Sequence, residues 1–170
     1  MKNLFIAQAL YNRWANAKLA AELAKLTPER LTAVSAVNFG SIIAIANHLV
    51  LADRAWLYRF TGQGTPVPSI DAVPYPSLPE LAAARSVEEE RAIAFVRDLD
   101  PTALSGILAY NAMNGTPMAL PLALCIGHFF NHQTHHRGQI HGLLGGCGLK
   151  AADLDFIFFE RETGTYAASL

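Results

Sequence analysis

The sequence predicts an all-α protein, a four-helix bundle with a small β-hairpin before the fourth long helix and a short C-terminal helix. Four long segments carry apolar residues at helical spacing, and proline or glycine ends them. A single Asn-Gly pair lies between two short apolar stretches, which is the usual signal of a hairpin. The 170 residues fit one domain over 1–170, because two domains would each have a marginal core.

The first two helices are predicted over residues 2–26 and 41–60, where apolar residues recur at helical spacing. Thr27-Pro28 ends the first helix, because the residue before a proline is pushed out of the helical region. The stretch 29–40 is polar and is expected to be a connection. Residues 62–79 hold five of the nine prolines, so we expect a long surface segment that covers a pocket or packs on a partner.

The third helix is predicted from Ser77 to Asp98, since Ser77 and Glu80 have the spacing of a capping box. The hairpin is predicted over 105–120 around Asn114-Gly115. The fourth helix is expected from Pro121 to about Leu144, where a glycine-rich stretch follows, and the last helix from 153 to 160.

Composition excludes several classes of protein. Apolar residues make up 52% and charged residues 16%, which excludes a disordered chain. Thirteen basic and fourteen acidic residues provide no excess of positive charge, so we expect no nucleic-acid partner. No apolar run reaches the length of about 18 residues that a membrane helix requires. Cys125 and Cys147 would lie roughly 33 Å apart on one helix, so no disulfide is expected, and a cytoplasmic location is favoured.

Histidines are the most informative residues of the chain. Five of the six lie in one stretch, namely His128, His132, His135, His136 and His141, and the sixth is His48. A spacing of four places His132 and His136 on one helical face about 6 Å apart, where two imidazoles can share a metal ion.

The apolar residues around this pair predict that both side chains point into the bundle, and His48 falls on the inward side of the second helix. Three neutral histidines around a divalent ion leave a coordination position open, as catalytic sites require. The alternative is that each histidine only makes a hydrogen bond in the core. The spacing leaves both interpretations open, and the metal gains support because one shared ion would satisfy all of these buried polar groups at once.

The neighbouring residues have alternative interpretations. His128 is either a fourth ligand or a rim or core histidine, and the second is favoured. His135 is expected at the pocket rim or on a dimer surface, and His141 is expected to be exposed. Arg137 could pair with an acidic group or contact an anionic substrate, but a surface position is favoured. Tyr11 and Asp53 are weak candidates for a general base. A packing role is favoured for Tyr11, and a surface or interface ion pair is favoured for Asp53.

These residues carry a resemblance to a known family. The strings 131–140 (NHQTHHRGQI), 11–16 (YNRWAN) and 47–56, which contains Asn47-His48-Leu49, resemble the DinB/YfiT-like proteins, and residues 154–159 are similar to the closing helix of that family. The resemblance implies an up-down-down-up bundle, a homodimer, and zinc or nickel held by His48, His132 and His136. Its association with DNA damage concerns expression and implies no binding to DNA.

The resemblance, together with the open position, predicts a metal-dependent enzyme that acts on a small molecule, either a thiol-dependent transferase or a hydrolase. The alternative is a non-catalytic metal-binding stress-response protein, in which the ion is structural or sensory. A third possibility is a bundle that binds no metal and serves in interactions. A pocket that opens onto the ion favours the enzyme, whereas a fourth protein ligand such as His128 favours the non-catalytic role.

Overall fold

A computed structural model describes residues 1–166 and confirms the mostly helical fold with its hairpin. In chain order the described elements are α1 (Lys2–Leu23), α2 (Pro28–Thr32), α3 (Ile42–Thr61), α4 (Leu78–Asp98), a 3-10 helix (Pro101–Ser105), β1 (Ile107–Asn111), β2 (Pro117–Pro121), α5 (Leu122–Gly146) and α6 (Phe156–Thr163).

Helices α1, α3, α4 and α5 form the bundle, in which α1 and α3 each pack against both α4 and α5. Asp53 pairs with Arg85, and further along both helices the ring of Phe60 stacks on that of Phe95. Residue numbers therefore increase in the same direction along α3 and α4, so these two helices are parallel. Contacts between α3 and α5 run in opposite directions, since His48 lies beside His136 and Phe60 lies beside Phe129.

Helix α1 completes the arrangement. It runs parallel to α5, because Phe5 stacks on Phe130 and Asn12 bonds to Arg137 further along both helices. It runs antiparallel to α4, where Asn16 meets Glu89. The four helices are therefore up, down, down and up, as the resemblance implies.

The parallel pair explains the proline-rich segment. Helix α3 has 20 residues and is about 30 Å long, so the chain must return over that distance before α4 can begin in the same direction. Residues 62–77 make this return in irregular conformation, and Tyr75 near its end bonds to Asn47 at the start of α3. Prolines suit such a path because they favour extended backbone.

Local signals set the ends of the helices. The Ser41 side chain caps α3, and Gly62 ends that helix with a left-handed φ of 68°. Ser77 and Glu80 form the predicted capping box of α4. The structure differs from the predictions in several places: α1 ends at Leu23, residues 28–32 form α2 where a connection was expected, a 3-10 helix forms at Pro101–Ser105, α5 extends to Gly146, and α6 begins at Phe156.

The hairpin forms where Asn114-Gly115 predicts it. Strands β1 and β2 are antiparallel, and Tyr110 is opposite Met118 in the register. Gly115 has φ of 82°, which favours glycine in the turn. Both strands are edges of a two-stranded sheet, so Pro117 removes no necessary hydrogen bond.

The core consists of two large apolar clusters with a polar layer between them, and a third, small cluster of Tyr11, Ala15 and Phe159 joins α1 to α6. One cluster surrounds Leu49 and Ile140 and the other surrounds Leu57 and Phe129. The buried polar residues between them along the four helices are Asn12, Asn16, Asp53, Glu88, Gln133 and Arg137. Cys125 and Cys147 are both unpaired, as predicted. None of the described helices combines the length and apolarity needed to cross a bilayer.

Candidate metal centre

His48 lies on α3, where it is 2% exposed and is oriented by the backbone. Its Nδ1 lies 3.0 Å from the carbonyl oxygen of Ile70 in the proline-rich segment. A carbonyl oxygen only accepts hydrogen bonds, so this contact places the imidazole hydrogen on Nδ1. The lone pair of a neutral His48 is therefore on Nε2.

His132 and His136 lie one turn apart on α5, and their ring centroids are 4.4 Å apart. Nε2 of His48 lies 3.2 Å from Nε2 of His132, and the rings of His48 and His136 are 4.6 Å apart. The potential ligand atoms of the three residues all lie within 4.8 Å of one another. The structure thus brings together the three histidines that the sequence singles out.

Gln139 orients the third imidazole. Its Oε1 lies 2.8 Å from Nδ1 of His136, which assigns the hydrogen to Nδ1 and leaves Nε2 as the free nitrogen. Such hydrogen bonds to the remote nitrogen are a regular feature of metal-binding histidines, since they fix the tautomer and the direction of the ring. The sequence analysis missed Gln139, although its spacing of three from His136 on one helix was available.

The separation of His48 and His132 fits a tetrahedral ion. Ligand nitrogens at 2.0–2.1 Å from zinc lie about 3.3 Å apart, close to the 3.2 Å between His48 and His132. The same distance also suits a direct hydrogen bond in which His132 donates from Nε2. The separations allow a metal. His48 and His136 each carry their hydrogen on Nδ1, which leaves the lone pairs of both Nε2 atoms free, and this favours a metal.

All three imidazoles are held neutral, which is the form that binds metal. Burial, together with the positive charges that its histidine neighbours would carry, lowers the pKa of His132 to about 3. Burial is also the main cause that lowers the pKa of His48 and of His136. The site is thus not expected to lose its ligands to protonation near neutral pH.

Phe39 covers the histidines from the connection between α2 and α3. Its ring stacks on His48 with centroids 3.9 Å apart and meets the edge of His136 at 5.6 Å. Its φ of 69° is unusual for a residue with a side chain, and such conformations concentrate at functional sites. The sequence analysis assigned this stretch to a plain connection, and no pattern in it predicts the positive φ.

A cavity of about 370 Å³ adjoins two of the three histidines. His48 and His132 line one end, and Trp56, Arg59 and the hairpin residue Tyr110 line the remainder. The hairpin thereby supplies a wall of the cavity, which the sequence analysis did not anticipate.

The other histidines lie outside the group of three. His128 is exposed and contacts the rings of Trp56 and His132, with centroids 5.1 and 5.7 Å away, which agrees with a rim residue. His135 is exposed beside His136. His141 was expected to be exposed, but it is half-buried, and its Nε2 lies 3.0 Å from the carbonyl oxygen of Ala152.

The two candidates for a general base have structural roles. Tyr11 donates to the carbonyl oxygen of Leu154 at 2.7 Å and packs on Phe159, so the packing interpretation holds. Asp53 forms an ion pair, as favoured, but in the interior, where Arg85 and Gln133 both donate to it. Burial raises the pKa of the Asp53 carboxyl to about 6, and its two partners oppose that shift.

Arg137 corrects a prediction. The sequence analysis placed it at the surface, whereas it is 2% exposed and donates to Asn12 and Asn16 of α1. The guanidinium also lies over the ring of Tyr11, 5.1 Å from its centroid. Its role is to join α5 to α1, and its partners are distant in sequence, so no local pattern could reveal them.

Fold and site together define a helical-bundle protein with a three-histidine candidate metal centre between its second and fourth long helices. The sequence profile of the DinB family matches residues 1–167. The chain therefore belongs to the DinB family, which confirms the resemblance seen in its motifs.

The known proteins similar to this chain include a DinB protein and a DinB-like protein, both from Bacillus species. Protein DinB of Bacillus subtilis (strain 168) is 28% identical over 168 residues, which cover 93% of this chain and 94% of that protein. The crystal structure of a DinB-like protein from Bacillus cereus ATCC 10987 superposes with a TM-score of 0.57, at 23% identity over 83% of this chain and 91% of that one. The second likeness supports the fold.

Proposed function

We propose that this protein is a metal-dependent enzyme in which His48, His132 and His136 hold one divalent cation and leave a coordination position open. The observation that carries the proposal is the meeting of three neutral imidazoles, two of which, those of His48 and His132, line a cavity. Zinc or nickel is the expected ion, since imidazole ligands suit both.

The donor set determines the chemistry. A divalent cation held by neutral ligands keeps its full charge, so it would acidify a water or a thiol that reaches the open position. We therefore propose hydrolysis or thiol-dependent transfer on a small-molecule substrate. Ile70 and Gln139 hold the imidazoles in direction, Phe39 covers one side, and the cavity beside Trp56 admits the substrate.

The non-catalytic alternative, a structural or sensory ion, predicts a fourth protein ligand. Within residues 1–166 the group contains three members, and His128 lies on the exposed rim of the cavity. This arrangement favours the enzyme. The homodimer that the resemblance implies and the cytoplasmic location that the sequence favours stay predictions.

Elemental analysis tests the proposal. The purified wild-type protein, reconstituted with zinc and desalted, is expected to hold one equivalent, and His132→Ala is expected to hold none while keeping its helical circular dichroism. His128→Ala is the matched control, because it removes an imidazole of the same helix from outside the group, and it should keep one equivalent. Equal metal content in wild type and His132→Ala would overturn the proposal.

A further inference from the structure

Arg59 is an arginine whose charge has no acidic partner in the described part of the chain. Its guanidinium lies over the rings of Trp56 and Tyr110, at 4.7 and 5.1 Å from their centroids. No hydrogen bond or ion pair to it is formed within residues 1–166. The aromatic rings hold the side chain in place and leave its donor groups available.

The other half-buried arginines of α3 and α4 differ in this respect. Arg54 and Arg91 both pair with the buried Glu88, and Arg85 pairs with Asp53. A partly buried cation without a carboxylate loses solvation free energy that no ion pair offsets. The negative end of the α3 dipole offsets part of that cost, since Arg59 lies in the last turn of the helix.

Arg59 lies where its charge can contact a bound molecule. It lines the 370 Å³ cavity that ends at His48 and His132. A second cavity of about 500 Å³ shares Arg59 and Tyr110 in its wall and continues beneath the hairpin towards Pro66 and Pro68. Of the described residues that line the two cavities, none is acidic, so the space favours an anion.

We infer that Arg59 binds an anionic group, such as a carboxylate, of an elongated small molecule whose other end reaches the three histidines. The inference deepens the proposed function, on which it rests, by naming the class of substrate. Arg59 follows His48 by eleven positions in α3, or roughly 16 Å along the helix axis, and the long arginine side chain leans back towards the N-terminus. The substrate must therefore span several bonds between its two ends.

Protein loaded with cobalt(II) allows a test without enzyme turnover, since a thiolate that binds cobalt gives a charge-transfer band in the near ultraviolet. The probes are ω-mercaptocarboxylic acids of increasing length, each compared with the ω-mercaptoalcohol of the same length. For wild type we expect one range of lengths at which the acid binds roughly tenfold to a hundredfold more tightly than the alcohol, as a charge-assisted hydrogen bond provides.

Arg59→Met should remove that preference, while Arg59→Lys should keep part of it and the control Arg97→Met should keep all of it. Arg97 is exposed on α4 and lines neither cavity. Equal acid-to-alcohol ratios in wild type and Arg59→Met would overturn the inference and leave the proposed function intact. A failure of wild type to bind cobalt before any thiol is added would overturn both.

Discussion

The carbonyl oxygen of Ile70 lies 3.0 Å from Nδ1 of His48, and this contact joins the proline-rich segment to the candidate metal centre. Residues 62–77 return the chain along the length of α3, and on the way they fix the tautomer of a histidine on that helix. Because α3 and α4 are parallel, the connection between them must run back along α3. This path places the carbonyl of Ile70 beside His48.

Gln139 offers a test of how the imidazoles are oriented. Gln139→Ala removes the acceptor from Nδ1 of His136, so we expect zinc affinity to fall by about 10-fold to 100-fold, as it does when such partners are removed from metal-binding histidines. Competition with a chromophoric chelator measures this affinity. Gln63→Ala, at an exposed position after α3, is the matched control and should bind zinc like wild type. Equal affinities in the two variants would show that Gln139 has no such role.

Arg85 is the cation that keeps Asp53 paired in the interior. Arg85→Met leaves a buried carboxylate without its ion pair, and we expect the free energy of unfolding of the metal-free protein to fall by about 3–5 kcal/mol. Asp53→Asn combined with Arg85→Met should lose less than the sum of the single changes, because no charge is left unpaired. Urea denaturation of the four proteins provides these values. Additive losses would mean that the two side chains are not coupled.

The chain's own pattern predicted the helices and the hairpin well. Long apolar periodicities, Ser77 with Glu80, and Asn114-Gly115 each specify local structure through neighbouring residues, so they can be interpreted without the fold. Helix α2 was missed because five residues are too few to show a periodicity. The three histidines were found because two of them share one helical face and the third lies on an inward face of a neighbouring helix.

Features that depend on contacts between distant segments could not be predicted. Arg137 looks like a surface residue until Asn12 and Asn16 of α1 are placed against it. The support for His48 comes from a backbone carbonyl, which every residue has and no sequence pattern reveals. Phe39 stacks on His48 through a left-handed backbone conformation that its residue type disfavours.

The histidines also make a prediction about pH. The pKa of His132 is about 3 in the folded protein against 6.5 for an unperturbed histidine, so on acidification the unfolded chain takes up this proton first. The stabilisation is complete above pH 6.5 and is lost progressively as the pH falls towards 3. We expect the free energy of unfolding of the metal-free wild type to fall more steeply from pH 6.5 to pH 4 than that of His132→Gln.

Asp53 contributes to the same measurement with the opposite sign. Its folded pKa of about 6 lies above the unperturbed 3.8, so the folded protein takes up that proton first and gains stability as the pH falls from 6 to 4. Both proteins in the comparison contain Asp53, so its contribution cancels in their difference. Chemical denaturation in the presence of a chelator supplies the two curves, and parallel curves would refute the assignment of His132.

The position of the ion itself is the final test. Crystals grown with zinc and measured above and below the zinc absorption edge should show one anomalous peak about 2.0–2.1 Å from Nε2 of His48, His132 and His136. A non-protein ligand on the side of Trp56 should complete the coordination. A peak elsewhere on the chain, or the three rings without a peak between them in zinc-saturated crystals, would contradict the proposed metal centre.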